Sequence, residues 1–542
     1  MAQASPDATH PAPNPVSVPE VLTDIAAAIR DVRQPLAVTA MAGESPTVLA
    51  AAALPVVTAT LKGWVGALGP EDLGSASFRR DHGVRYNYVA GAMAGGIGSV
   101  DIVVTMAKAG MLGFFGSGGV PLDRVEKALA EVRDQLAEHP QAAYGFNLLH
   151  NPIEAGVEDR TVDLYLRYGV RKVSASAYLR LMPTVVRYRA TGMRKLPDGS
   201  IHAPNSVFAK VSSLDVAAQF MAPPPAAMLK QLVGAGKLSA TEAELAAQLP
   251  VAQDITAEAD SGGHTDRRPL SVLLPQMVRL RDELAERHGY RKLGVELRIG
   301  AGGGIGDPMS ARAAFALGAD YILTGSINQT SLQAGTSPLA RQMLTQASMA
   351  DVVMAPAADM FEMGVQVQVL KRGSFYAQRA RKLYEVYKTY DGFEAIPPEE
   401  RAKLERDIFR QTLEEVWAST ASYWQQRDPK QLEKAERDGK HKMALAFRAY
   451  LGLSSRWAQT GQADRKSDYQ IWCGPAMGLF NSWAAGTWLE TVENRDVTLM
   501  GLALMQGAAV IIRAERLAQC GVAVPALLEL SKPAERDVLL RL

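Results

Sequence analysis

Between Tyr88 and Thr330, short apolar runs alternate with segments of helical periodicity, the pattern of a parallel sheet whose strands are joined by helices. The runs predict eight strands: Tyr88–Met93, Gly113–Phe115, Ala143–Leu148, Lys172–Ala175, Ser206–Val211, Asp254–Ala259, Gly294–Ile299 and Tyr321–Thr324. Helical spacing covers Val100–Ala109, a stretch from Leu122, Asp159–Tyr168, the neighbourhood of Arg180–Arg189, and Val272–Arg287. Eight such units in roughly 240 residues match one (β/α)8 TIM barrel of the α/β class. A doubly wound open sheet is the competing arrangement. The barrel is favoured because the glycine-rich loops fall late in the chain and not after the first strand.

The rest of the chain is organised around that unit, expected over residues 88–337. A helical insertion, 221–250, interrupts the alternation between strands five and six, with Gly234-Ala235-Gly236-Lys237 as its turn. An insertion there is expected to cover the site. Residues 21–87 read as an N-terminal extension in which Leu36–Thr58 adds a small strand or helix layer. Residues 338–542 read as a large, mostly helical C-terminal lid or substrate region, clearest over Glu399–Tyr423 and His441–Leu451. Residues 1–20, rich in Ala, Pro and Ser, are expected to be a disordered leader and lack the features of a signal peptide.

Composition narrows the class. With 542 residues, 47% hydrophobic and 21% charged, the chain can bury a large core in two to four units. A net charge of +1 gives no electrostatic reason to expect nucleic acid. Ala50–Thr60 is apolar but too short to span a bilayer, and no transmembrane helix is expected. Two cysteines, Cys473 and Cys520, offer neither a disulfide framework nor metal-ligand spacing, which suits a reducing, cytoplasmic compartment. The eight histidines form no metal set, and no Walker, G-x-S-x-G or Cys/His nucleophile motif occurs.

The chemistry-bearing candidates cluster at strand ends. Gly302-Gly303-Gly304 and Gly325-Ser326 end the last two strands, where a barrel usually binds phosphate on backbone N–H groups. The bland alternative is a pair of turns that need positive φ. Met93-Ala94-Gly95-Gly96 follows the first strand, where small residues let a flat ring approach the backbone. Asn147 ends the third strand and can hydrogen-bond the pyrimidine side of a flavin, or simply cap a turn. Lys210 ends the fifth; it can place positive charge near the flavin N1–O2 edge or form a salt bridge to Asp260 or Glu258. Asp260-Ser261-Gly262-Gly263-His264 ends the sixth, with His264 able to move a proton near neutral pH or only shape the pocket, and Asp260 orienting the loop.

These residues resemble the nitronate monooxygenase-like FMN barrels, which share Met-Ala-Gly-Gly-Ile, the Gly-Gly-His turn and the late Gly-Gly-Ile and Gly-Ser pair. The stretches 257–266, 349–364 and 468–478 are similar to one branch, the PfaD-type trans-acting enoyl reductases of polyketide and polyunsaturated fatty acid synthases. The resemblance covers nearly everything after Asp81. It implies FMN as cofactor and NADPH as reductant. The implied substrate is a trans-2-enoyl thioester on an acyl carrier protein of a megasynthase, with His264 or water supplying a proton. A flavin oxygenase acting on nitronates and a non-catalytic megasynthase component are the alternatives. Three further expectations follow. Met354, Met360, Phe361, Met363, Phe375 and Tyr376 line an acyl pocket or are helix core. Arg372, Arg379, Arg381 and Lys382 form a face for an acidic carrier protein or a solvated helix face. Trp483 and Trp488 form a homodimer interface or core.

Overall fold

In the computed structural model, which describes residues 21–50, 60–151 and 156–542, eight parallel strands close into a barrel. The expected leader and residues 51–59 lie outside the described residues. In chain order, β1 (Leu36–Ala40), β2 (Thr47–Ala50) and β3 (Thr60–Val65) make an antiparallel sheet ordered β2-β1-β3. Next come β4 (Tyr88–Ala90), β5 (Leu112–Phe115), β6 (Tyr144–Leu149) and β7 (Lys172–Ser176). A short hairpin, β8 (Arg194–Lys195) and β9 (Ile201–His202), precedes β10 (Ser206–Val211) and β11 (Asp254–Glu258). After β12 (Gly263–His264) follow β13 (Arg298–Gly302) and β14 (Tyr321–Thr324). The barrel runs β4-β5-β6-β7-β10-β11-β13-β14 and closes through β14 and β4, where Leu323 pairs with Val89. The eight strands expected from the pattern are the eight observed. The seventh shifts: Gly294 ends a short turn at φ 67°, so the strand starts at Arg298 and runs into the glycines.

Two glycines inside strands make room for aromatic rings. A Cβ at Gly300 would lie 2.1 Å from the Tyr321 ring, and one at Gly145 would lie 2.3 Å from Phe114. Tyr321, Phe114, Phe208 and Leu323 fill the barrel interior, and Phe78 of the helix Ala76–His82 stacks on Tyr321 at 4.6 Å to plug the lower end. That helix also closes a charge cluster. Arg298 donates through Nε to Asp254 Oδ1 at 2.6 Å and through Nη1 to Asp81 at 2.6 Å, and His82 Nε2 lies 2.9 Å from Asp254 Oδ2. Burial would raise the Asp254 carboxyl, but Arg298 and His82 hold it far below the usual carboxylate range.

The insertion forms two helices, Ala226–Gly234 and Ala240–Ala246, but it does not cover the mouth of the barrel. It packs on the helix Pro183–Ala190, and Glu242 accepts from the Gly192 N–H at 2.7 Å. The helix Leu214–Met221 has already carried the chain back to the N-terminal strand ends, so residues added before β11 stay there.

Packing divides residues 338–542 in two. Residues 355–451 build a second core around Phe361, Tyr376 and Phe447, next to a sheet ordered β12-β16-β15, with β15 (Val352–Pro356) and β16 (Gln366–Leu370) antiparallel. The remainder returns to the barrel. The helix Val497–Gln519 is long and apolar enough to cross a membrane by composition, yet 89% of its apolar window is buried inside the fold. It packs on Val100–Lys108 and Pro308–Ala316, with Gly501 against the Tyr88 ring. Its buried Arg513 donates to the carbonyls of Ala28, Ile29, Gln34 and Gly66 and so ties the N-terminal extension to the C-terminal end. Trp483 and Trp488 donate to the carbonyls of Ser531 and Ala534 at 2.9 and 3.0 Å and pack against the main core. Both indole N–H groups are thus bonded within the chain, and both rings are half-buried.

Breaking one side of the charge cluster strands the other in the core. Asp254→Asn or Arg298→Met should each cost about 3–5 kcal/mol in urea unfolding. His82 adds a pH dependence: burial, opposed by Asp254, lowers its pKa. The unfolded chain therefore takes up a proton near pH 6.5 that the folded chain refuses. This contribution is complete above about pH 6.5 and is lost as pH falls below it. A His82→Asn variant, tested by urea midpoints at pH 7.5 and 5.5, should show a shallower loss.

Candidate active site

All the sequence-derived candidates at barrel strands sit at C-terminal strand ends, and parallel pairing brings these to one face. They gather in two groups. In the first, the loops after β11, β13 and β14 meet the segment Trp472-Cys473-Gly474. Gly302 is the last residue of β13, paired with Glu258 and Leu323, so the exposed turn consists of Gly303 and Gly304. Gly303 has φ 93°, and a Cβ there would sit 2.8 Å from the backbone of Ala259 and Asp260. Gly304, at φ 74°, and Gly325 differ: a Cβ at either would meet nothing within 4 Å. The Ser326 hydroxyl accepts from the Gly474 N–H at 2.9 Å.

Gly262 owes its lack of a side chain to packing. A Cβ at Gly262 would lie 2.9 Å from Cys473 N, and one at Gly474 would lie 2.8 Å from Gly262 N. Gln368 of β16 locks the same loop, donating through Nε2 to Asp260 Oδ1 at 2.9 Å and to the Ser261 carbonyl at 2.8 Å. Gln329 holds the facing segment, donating to the Trp472 carbonyl at 2.5 Å, while its buried Oε1 has no hydrogen-bond partner among the described residues. Between these contacts, burial pushes the Cys473 thiol up to about 12, which leaves it no nucleophile.

His264 stands apart from the strand ends. Residues Gly263 and His264 form β12, which pairs with β16 outside the barrel. The His264 side chain is 41% exposed, with Nε2 3.2 Å from Asp359 Oδ1. Burial works to raise the Asp359 carboxyl, but the hydrogen bond and charge of His264 outweigh it and hold the group below its ordinary value.

The second group lies across the barrel. Ala94, Asn147 and Leu149 converge on Gly118, and Asn147 Oδ1 accepts from the Ser176 hydroxyl at 2.8 Å, which leaves its Nδ2 pointed elsewhere. In the Met93-Ala94-Gly95-Gly96 turn, the Gly95 and Gly96 N–H groups donate to the Gly118 and Gly116 carbonyls at 2.7 and 2.9 Å. These two N–H groups are therefore occupied within the chain, which leaves the small side chains as the feature that would admit a ring. Lys210, on β10 beside the first group, forms the salt bridge to Glu258, whose carboxylate also accepts from Ser261 at 3.4 Å. The positive charge expected there is locally neutralised.

The remaining expectations resolve by burial and pairing. Phe361 and Tyr376 are helix core, Met354 and Met360 are half-buried, and Met363 and Phe375 are exposed. The proposed basic face is internally paired. Arg379 bonds the fully buried Asp468, Lys382 pairs with Glu400 at 2.5 Å, Arg372 with Asp351 at 3.4 Å, and Arg381 donates to the Met354 carbonyl. Sequence reasoning missed Gln329, Gln368 and Asp359. Only Asp359 lay in a stretch already singled out; a lone glutamine carries no local signal.

The enoyl reductase domain of MlnA, from the macrolactin biosynthesis cluster of Bacillus amyloliquefaciens, matches this fold. The TM-score is 0.78 and identity 38%, over 83% of this chain and 99% of that one. The chain belongs to the PfaD-type enoyl reductase family. The chain is also similar to parts of longer proteins. Over 451 residues the chain is 45% identical to a polyunsaturated fatty acid synthase subunit of Thraustochytrium sp., covering 82% of this chain and 30% of that protein. Over 442 residues it is 45% identical to the polyketide biosynthesis protein PksE of Bacillus subtilis, covering 82% of this chain and 57% of that one. It thus spans well under two thirds of these curated relatives. Residues 390–469 match a family model described as the inserted helical domain of [acyl-carrier-protein] S-malonyltransferase.

The backbone contact between Gly262 and Gly474 is testable. Gly474→Ala should cost about 1–3 kcal/mol by overpacking and loosen the mouth. Thermal unfolding and limited proteolysis around residues 260–268 report both effects; an unchanged digest would contradict this packing account.

Proposed function

We propose that the chain is an FMN-dependent enoyl reductase that draws on NADPH and saturates the 2,3 double bond of an enoyl thioester held on an acyl carrier protein. The setting is polyketide or polyunsaturated fatty acid biosynthesis. The observation that carries the reading is the match to an enoyl reductase domain over nearly that domain's whole length. The local geometry fits a phosphate-bearing cofactor. Gly304 and Gly325 close the ends of adjacent strands with open space where side chains would stand, and backbone N–H groups at such corners suit a phosphate. Gly303, Gly304, Gly325 and Ser326 would hold the phosphate, and Asn147 of β6 and Lys210 of β10 would face the ring from other strand ends of the same mouth. Flavin bound there supplies the hydride relay between nicotinamide and the enoyl β-carbon.

The chain's own residues do the rest. The Lys210–Glu258 pair presents a dipole near the ring instead of a net charge. The His264 imidazole, oriented by Asp359, holds a proton in contact with water for delivery to the α-carbon. Gln368 keeps the loop that carries His264 on the second sheet, so the imidazole and the glycine corners belong to one rigid unit.

Anaerobic stopped-flow tests the assignment. NADPH should bleach the flavin band, and crotonyl-pantetheine should restore it. Restoration by oxygen alone, with a nitronate consumed, would instead indicate an oxygenase. Gly325→Ala probes the cradle, because a Cβ there touches nothing. Its thermal midpoint without flavin should fall by no more than a few °C, since no packing contact changes and only the backbone conformation is less favourable with a Cβ. The Kd for FMN added to the flavin-free protein should rise at least about tenfold, the effect of roughly 1.4 kcal/mol.

A further inference from the structure

Gln459 lies near the C-terminal end of the helix Gly439–Thr460, within the segment that matches an inserted helical domain. Its carboxamide is seated directly on the first turn of the barrel: a Cβ at Gly95 would stand 2.3 Å from Gln459 Nε2 and 3.1 Å from its Cδ. Gly95 has φ 71°, so this corner suits glycine on both steric and conformational grounds.

The seat is fixed by backbone contacts. Ser337 donates to the Ala458 carbonyl at 2.6 Å, and Gly461, at φ 70°, ends the helix against Ser337. Gly335 N–H in turn donates to the Ile97 carbonyl at 2.9 Å, and a Cβ on Gly335 would lie 2.1 Å from the Gly96 carbonyl. The end of the helix therefore cannot shift relative to the turn without breaking these bonds.

The carboxamide itself is underused. Among the described residues its one hydrogen bond runs from Nε2 to Ser455 Oγ at 3.4 Å, the long limit for such a bond. The N–H groups of Gly95 and Gly96 are already spent on carbonyls. A carbonyl oxygen arriving at this corner thus finds the Gln459 amide as its donor.

We propose that Gln459 is the hydrogen-bond donor to the thioester oxygen of the substrate, an inference that rests on the enoyl reductase reading. In that reaction a hydride adds to the β-carbon and the C=C electron pair moves to the α-carbon. Negative charge grows on the thioester oxygen until a proton reaches the α-carbon. NADPH is oxidised to NADP+, so one hydride and one proton cross one double bond. A fixed N–H donor at that oxygen favours the charged state over the ground state.

The test uses the full chain with bound flavin and compares Gln459→Ala with Gln459→Glu, which fills the same space but has no N–H to donate. Both should keep the flavin absorbance band, a thermal midpoint within about 2 °C, and a rate of flavin reduction by NADPH within about twofold of the parent. Reoxidation by crotonyl-pantetheine should slow by about 10–100-fold in both. Parent-like reoxidation in Gln459→Glu overturns the proposal, because packing alone would then suffice. Parallel loss of flavin and of both half-reactions also overturns it, since Gln459 would then be purely structural. If the parent is bleached by NADPH but crotonyl-pantetheine never restores it, the enoyl reductase reading itself fails, and this inference with it.

Discussion

The backbone-to-backbone contact of Gly262 with Gly474 is the constraint on which the mouth of the barrel depends. Each glycine stands where the other's chain leaves no room for a Cβ. Because the two backbones touch, neighbouring groups fall into hydrogen-bonding range: the Gly474 N–H reaches Ser326, Gln329 reaches the Trp472 carbonyl, and Val369 bridges to Trp472. Three barrel loops and a segment some two hundred residues away become one surface. Dense interiors transmit small displacements, so a single methyl group at this point would be felt at every glycine corner around it.

Charge is used differently at the two ends of the barrel. At the lower end Asp254 and Arg298, 1% and 2% exposed, neutralise one another with His82 and Asp81, and serve to position the plugging helix under the interior rings. At the upper end the ionic groups are partly open to solvent, as in Lys210 with Glu258 and His264 with Asp359. Groups of that kind can exchange protons with water, whereas the buried cluster cannot without a large desolvation cost. The second core repeats the structural use of charge, with Arg379, Arg410 and Arg465 all turned to the buried Asp468. Of the basic run that looks like a docking face, only Arg379 is spent in this way; Arg372, Arg381 and Lys382 stay exposed and are paired at the surface.

The barrel was legible because its signals are local and repeated. Eight apolar runs at regular intervals can be satisfied only by burial on both faces of a parallel sheet, and Ser206–Val211 and Tyr321–Thr324 keep the very bounds their composition indicates. The seventh strand was misplaced because glycines 300 and 302 read as loop, when they are strand residues that yield space to Tyr321 and Thr256. The insertion was legible as helix, but its side of the barrel was not, since that depends on where the preceding helix returns the chain. Gln459 and Gln329 were invisible, because an amide at a site looks like any surface amide until its surroundings are known.

The sequence by itself determined the (β/α)8 barrel, the positions of its strand-end glycines and the family to which the chain belongs, because periodicity and motif spacing are properties of neighbours along the chain. Only the tertiary structure decided which glycines leave space and which are spent on packing. It also decided that the helix Val497–Gln519 is core, and that residues 355–451 form a second core whose last helix lays Gln459 on Gly95. These are contacts between residues tens to hundreds of positions apart. Burial, close approach and the pairing of charges exist only once the folded chain brings such residues together.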